Sequence, residues 1–141
     1  MKVALGCDHG GFALKETVLG VLRSLGHQVD DCGVMSADSV DYPEIAAAVC
    51  DRVVDGSCER GILICGTGIG MSMAANRNAT IRAALCGETF GARMSREHND
   101  ANVLCLGARS TGPGLAEEIT RVWLTSEFAG GRHLRRIKMF C

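Results

Sequence analysis

The chain is 141 residues long, 47% apolar and 22% charged, a size and balance suited to one globular domain, residues 1–141, with a core of its own. A formal net charge of −1 gives no reason to expect nucleic acid or an anionic membrane as partner, and no apolar run approaches the roughly 20 residues of a membrane-spanning helix. Eight cysteines without a C-x-x-C pair argue against a disulfide framework; with no leader pattern ahead of the first strand, they point to a reducing cytoplasm.

Lys2 to Cys7 is the first predicted strand, and Asp8-His9-Gly10-Gly11 follows it. A helix is predicted from about Phe12 to Leu25, with Leu14, Val18, Val21, Leu22 and Leu25 on one face and Gly26 as its stop. His27 to Cys32 reads as a second, less apolar strand, and Gly33 to Asp41 as a polar loop. Pro43 opens a second helix at a position where its missing N–H costs little, and Ile45, Ala48, Val49 and Val53 stripe it to about Gly56.

The third strand, Ile62-Leu63-Ile64-Cys65, is a short β-branched apolar run that suits a buried parallel sheet. It breaks into Gly66-Thr67-Gly68-Ile69-Gly70, and Met71 to Asn76 reads as a helix. Ile81 to Cys86 is a fourth strand, followed by a helix from about Glu88 to Arg96. Asn102 to Leu106 is a fifth strand, followed by Gly107-Ala108-Arg109. The last long helix begins near Pro113, with Leu115, Ile119, Val122 and Trp123 inward. Gly130-Gly131 then leads into a tail holding Arg132, Arg135, Arg136 and Lys138 and no acid.

Alternating strands and helices without hairpin signals predict a five-stranded parallel sheet with helices on both faces. With strand order 2-1-3-4-5, the ligand crevice lies beyond the carboxyl ends of strands one and three, where the order reverses. Asp8-His9 and Cys65-Gly66-Thr67 then face each other there. Strand, glycine turn and helix start gather backbone N–H groups around one point, a setting in which a Cys65 thiolate could act as base or nucleophile. A strand-end cysteine taken alone is more often just a buried residue beside a tight turn.

The glycine turn is not a dinucleotide fingerprint, because Met71 stands where glycine or alanine is required. Neither is it a P-loop or a phosphatase loop, which need Gly-Lys-Ser/Thr or an arginine at position 71. A small anion hole remains, suited to an oxyanion or an enolate. His98, in the polar run Arg96-Glu97-His98-Asn99-Asp100, could exchange a proton near neutral pH, or simply belong to a helix end. Arg132 and Arg136, four apart, share a face if the tail is helical and with Arg109 could hold a phosphate dianion. The histidines show no metal-binding spacing.

Together these segments resemble ribose-5-phosphate isomerase of the B type, in the family that includes galactose-6-phosphate isomerase. The resemblance is carried by Gly6 to Phe12, Asp41-Tyr42-Pro43, Gly61 to Asn76, Ser95 to Val103, Gly107-Ala108-Arg109 and Gly130 to His133. It implies a Rossmann-like three-layer α/β/α sandwich, a homodimer or dimer of dimers with shared active sites, and no cofactor. It also implies Cys65 as the proton-abstracting base, His98 as the ring-opening acid and base, and Gly66, Thr67, Gly68, Ile69 and Gly70 as the hole for the enediolate oxygen. Asp8, His9 and Asn99 are then sugar-hydroxyl contacts and Arg109, Arg132 and Arg136 phosphate contacts, with Tyr42 lining the pocket. The implied reaction interconverts ribose 5-phosphate and ribulose 5-phosphate. A hexose 6-phosphate isomerase acting on allose or galactose phosphate, and a non-catalytic sugar-phosphate sensor, are the alternatives.

Overall fold

Residues 1–141 are all described by the structure, a computed structural model. Strands β1 (Lys2–Cys7), β2 (Gln28–Asp31), β3 (Arg60–Cys65), β4 (Ala83–Leu85) and β5 (Val103–Gly107) alternate with helices α1 (Phe12–Ser24), α2 (Tyr42–Val54), α3 (Ile69–Ala75), α4 (Thr89–Glu97) and α5 (Pro113–Thr125). A short helix α6 (Arg132–Ile137) closes the chain. Every strand pair is parallel.

Period-two alternation along the central strands divides the interior into two cores. Val3, Leu5, Ile62, Ile64, Leu104 and Leu106 point to one face, where α1, α4 and α5 cover them with Val18, Leu22, Ala92, Ile119 and Trp123. Ala4, Leu63, Cys65, Val103 and Cys105 point to the other, under Val49 and Cys50 of α2 and Met71 and Ala75 of α3. The predicted α/β/α layering is therefore present.

The strand order is 2-1-3-5-4, not 2-1-3-4-5. Every residue of β5 is buried, whereas the three of β4 are half-buried or exposed and Arg82 precedes them directly. Burial on both faces draws the wholly apolar strand to the sheet interior and leaves the short one at the edge. The reversal between β1 and β3 survives this correction. Its effect is to pair Cys65 directly with Gly107, so the Gly107–Arg109 turn adjoins β3 with no strand between.

Smaller differences have local causes. Helix α3 starts at Ile69 rather than Met71, because Gly68 adopts the left-handed conformation (φ +76°) that ends the turn. On α5, Ala116, Thr120 and Leu124 join Ile119 and Trp123 in the interior, while Leu115 in its first turn is 40% exposed and Val122 half-buried.

Candidate active site

At the carboxyl edge of the sheet the ends of β1, β3 and β5 interlock. The Asp8 N–H donates to the Ile64 carbonyl at 3.2 Å, and the buried Asp8 carboxylate accepts the Gly11 N–H at 2.9 Å. A Cβ on Gly10 would lie 3.0 Å from the Gly66 nitrogen, so the two turns touch backbone to backbone. From the neighbouring strand, the N–H groups of Ala108 and Arg109 donate to the carbonyls of Cys65 and Gly66, each at 2.9 Å. The Arg109 side chain lies over the turn, with Nη1 3.3 Å from where a Gly66 side chain would begin.

Cys65 sits at the centre, 6% exposed, and the Gly68 N–H donates to its Sγ at 3.1 Å. An N–H aimed at sulfur from the end of a glycine turn is the partner a thiolate requires. Thr67 is exposed, its Oγ1 accepting the Ile69 N–H at 3.3 Å. The Tyr42 ring leans on Gly70, with its hydroxyl 2.9 Å from a Cβ built there. His9 Nδ1 accepts the Val40 N–H at 3.3 Å and ties down the far end of the 33–41 loop. The near end is held by the buried Lys15, whose Nζ donates to the Val34 carbonyl and pairs with Asp31, both at 2.8 Å. The sequence reading passed over Lys15, which looks like one more polar position on an amphipathic helix.

Asp8, His9, Cys65, Gly66, Thr67, Gly68, Ile69, Gly70 and Arg109 are thus gathered at one edge. His98, Asn99, Arg132 and Arg136 are not among them. Helix α4 leaves the carboxyl end of β4 and runs back beside the sheet, so its C-cap, His98, reaches the opposite edge, where β5 begins. Since Val103 pairs with Gly61 and Gly107 with Cys65, the two edges stand roughly 13 Å apart along the strands. Helix α6 joins His98 there. The Ala129 N–H donates to the Glu97 carbonyl at 2.9 Å, and the imidazoles of His98 and His133 stack at 4.2 Å with 7° between their planes. The tail is helical, as the sharing of a face by Arg132 and Arg136 requires, and Ile137 anchors it.

None of the ion pairs in the chain employs Arg109, Arg132 or Arg136, nor Arg60, Arg77, Arg93 or Arg135. His133 has its pKa lowered by desolvation and by the neighbouring His98, Arg132 and Arg136, which favours a neutral ring in the stack. No three His, Cys, Asp or Glu side chains come together as metal ligands would.

A doubly wound parallel sheet with a glycine turn at its switch point defines a Rossmann-like α/β domain. Residues 3–140 match the Ribose/Galactose Isomerase family, and the chain belongs to that family of enzymes. It is 47% identical over 137 residues to ribose-5-phosphate isomerase B of Escherichia coli, an alignment covering 97% of this chain and 92% of that one. It is 42% identical over 132 residues to D-erythrulose-4-phosphate isomerase of Pectobacterium atrosepticum, covering 93% and 87%. The solved structure of ribose-5-phosphate isomerase B from Clostridium thermocellum superposes with a TM-score of 0.96 at 50% identity, covering 99% of this chain and 94% of that one.

Proposed function

We propose that the protein is an aldose–ketose isomerase interconverting ribose 5-phosphate and ribulose 5-phosphate, in the cytoplasm and without a cofactor. The observation that carries the reading is the Cys65 sulfur under the Gly68 N–H, at the end of β3 and beside the unpaired Arg109. Cys65 as thiolate takes the proton from C-2 of the open sugar. The N–H groups of the Gly66–Gly70 turn hold the enediolate oxygen, with Thr67 as a side-chain donor. The proton returns to C-1 while the hydroxyl proton passes from O-2 to O-1. His98 opens the furanose beforehand, taking the anomeric hydroxyl proton and giving one to the ring oxygen.

The separation of the edges, which keeps His98 away from Cys65 of its own chain, supports a site shared between protomers. We therefore assign the site to a two-fold dimer, with Asp8, His9, Cys65 to Gly70 and Arg109 from one protomer and His98, Asn99, Arg132 and Arg136 from its partner. Exposed apolar side chains accompany both clusters and support a covering second copy: Ile69 and Met73 on α3, Leu134, Met139 and Phe140 at the tail. Eight free thiols fit a reducing compartment. No helix is long and apolar enough to cross a membrane.

A tetrose phosphate is the second reading, favoured by the similarity to the erythrulose-4-phosphate enzyme. Kinetics on ribose 5-phosphate, erythrulose 4-phosphate, allose 6-phosphate and galactose 6-phosphate decide between them. The proposal expects kcat/KM for ribose 5-phosphate to exceed the others by at least about tenfold, a discrimination that one misfitted carbon can supply. A higher value for any of the other three would reassign the substrate, and no turnover of any would remove the catalytic reading.

A further inference from the structure

The link between α4 and β5 carries both partner-side candidates, His98 and Asn99, and it is built around Asp100. Asp100 is the one non-glycine residue with positive φ, at +46°. Aspartate tolerates this conformation better than most side chains, yet it remains less favourable than ordinary backbone. Two arginines hold it there. Arg96 donates to Asp100 Oδ1 at 2.8 Å and to the Ala101 carbonyl at 2.7 Å. Arg82 pairs with Asp100 Oδ2 at 3.4 Å, and its Nε donates to the carbonyls of Asn99 and Asp100 at 3.1 and 3.0 Å.

The arrangement is not what stability alone would favour. The Arg96 side chain is 7% exposed, lies 5.8 Å from the centroid of the fully buried Trp123 ring, and keeps its Nε without a partner. A second cation, Arg60, lies 5.4 Å from the same ring's centroid and donates to the backbone carbonyls of Trp123 and Leu124, and its pKa is lowered by burial and by Arg96. Burying a guanidinium beside a like charge is unfavourable, and an apolar residue in its place would often stabilise the fold. What the buried charge supplies is a fixed anchor. Three backbone carbonyls and one carboxylate of residues 99–101 are pinned to two rigid planar groups, one seated in the core.

We infer that Asp100, clamped between Arg82 and Arg96, is a positioning residue that sets His98 and Asn99 in the geometry needed to open the sugar ring on the partner protomer. The inference rests on the proposed roles of His98 and Asn99. Asp100 touches no substrate. It acts by fixing the turn that ends α4, and the His98 ring is then held from its other side by the His133 stack.

The test compares a substrate that must be opened with one that is always open. Erythrose 4-phosphate carries its phosphate on the only hydroxyl able to close a furanose, so it needs no ring opening. Asp100→Asn keeps the tolerance for positive φ and removes the charge. Asp100→Gly removes the side chain and favours the same backbone, so at least that variant should fold. Both should lose about 10- to 100-fold in kcat/KM on ribose 5-phosphate, as expected for a catalytic group displaced by about an ångström. On erythrose 4-phosphate they should lose less than about 3-fold, and in an Asp100→Asn/His98→Asn protein the ribose 5-phosphate loss should fall well short of the product of the two single losses. A merely structural role would lower the melting temperature and leave the ratio of the two substrates unchanged, which would overturn the inference. His98→Asn run alongside separates two failures. If it does not discriminate between the substrates, the reading of the site has failed; if it does and the Asp100 variants do not, only the clamp has.

Discussion

Eight free thiols occupy one small chain, and their surroundings set them apart. Burial pushes Cys50 and Cys86 up to about 11 and Cys105 higher still, so at pH 8 only about one in a thousand of the first two is thiolate. They fill space as small apolar groups. Cys141 is exposed, and Cys65, though only 6% exposed, ends its strand at the sheet edge with an N–H donor on its sulfur. Iodoacetamide at pH 8 should therefore label Cys141 and Cys65 in the native protein and leave Cys50, Cys86 and Cys105 unmodified. Ribose 5-phosphate should slow labelling at Cys65 alone. Peptide mapping that found Cys50 or Cys86 labelled as fast as Cys65 would contradict the division of roles. Residue by residue, the gathering of Asp8, Cys65 and the glycine turn at the carboxyl edge was legible, since Cys65 and its turn are local in sequence. The contacts of Lys15 and Asp100 were not, because each depends on partners up to about twenty positions away.

The elements were legible from periodicity, and their order in the sheet only partly. Sequential adjacency suggested β4 next to β3, yet burial decides otherwise, and the cue was present in Arg82 ahead of the short apolar β4 against the uninterrupted Val103–Leu106 run. Glycines show the same contrast between local and tertiary determinants. A Cβ on Gly11 would press on the Ile64 carbonyl carbon at 2.5 Å and the Cys65 nitrogen at 3.0 Å, backbone atoms that cannot step aside. Gly20, inside α1 and facing solvent, has nothing within 4 Å. Gly20→Ala should accordingly stabilise the protein by about 0.5–1 kcal/mol, the helix-propensity difference. Gly11→Ala should destabilise it by about 1–3 kcal/mol, as overpacking does, and displace the turn next to Cys65. Thermal melts of the two variants check both signs. A Gly11→Ala protein as stable as its parent would mean the β1 and β3 turns are not in the close contact described.

At the scale of the whole molecule, the parallel topology separates the two halves of the proposed site. Helices that return beside their strands carry His98 and the tail arginines to one edge and leave Cys65 at the other. The sequence named these residues but could not place them, since chain order says nothing about which edge a helix end reaches until the topology is drawn. The two-fold dimer we propose would unite them twice over. The decisive measurement mixes a Cys65→Ser protein with a His98→Asn protein after dissociation. Each should be reduced about 10²–10⁴-fold in kcat on ribose 5-phosphate, the usual effect of losing an acid–base group. In a mixed dimer one site receives both substitutions and the other neither. Random reassembly of equal amounts makes half the dimers mixed with half their sites intact, so activity should recover to roughly a quarter of the unsubstituted protein. If Cys65 and His98 of the same chain worked together, every site would carry one defect. No recovery despite demonstrated subunit exchange would contradict the shared site.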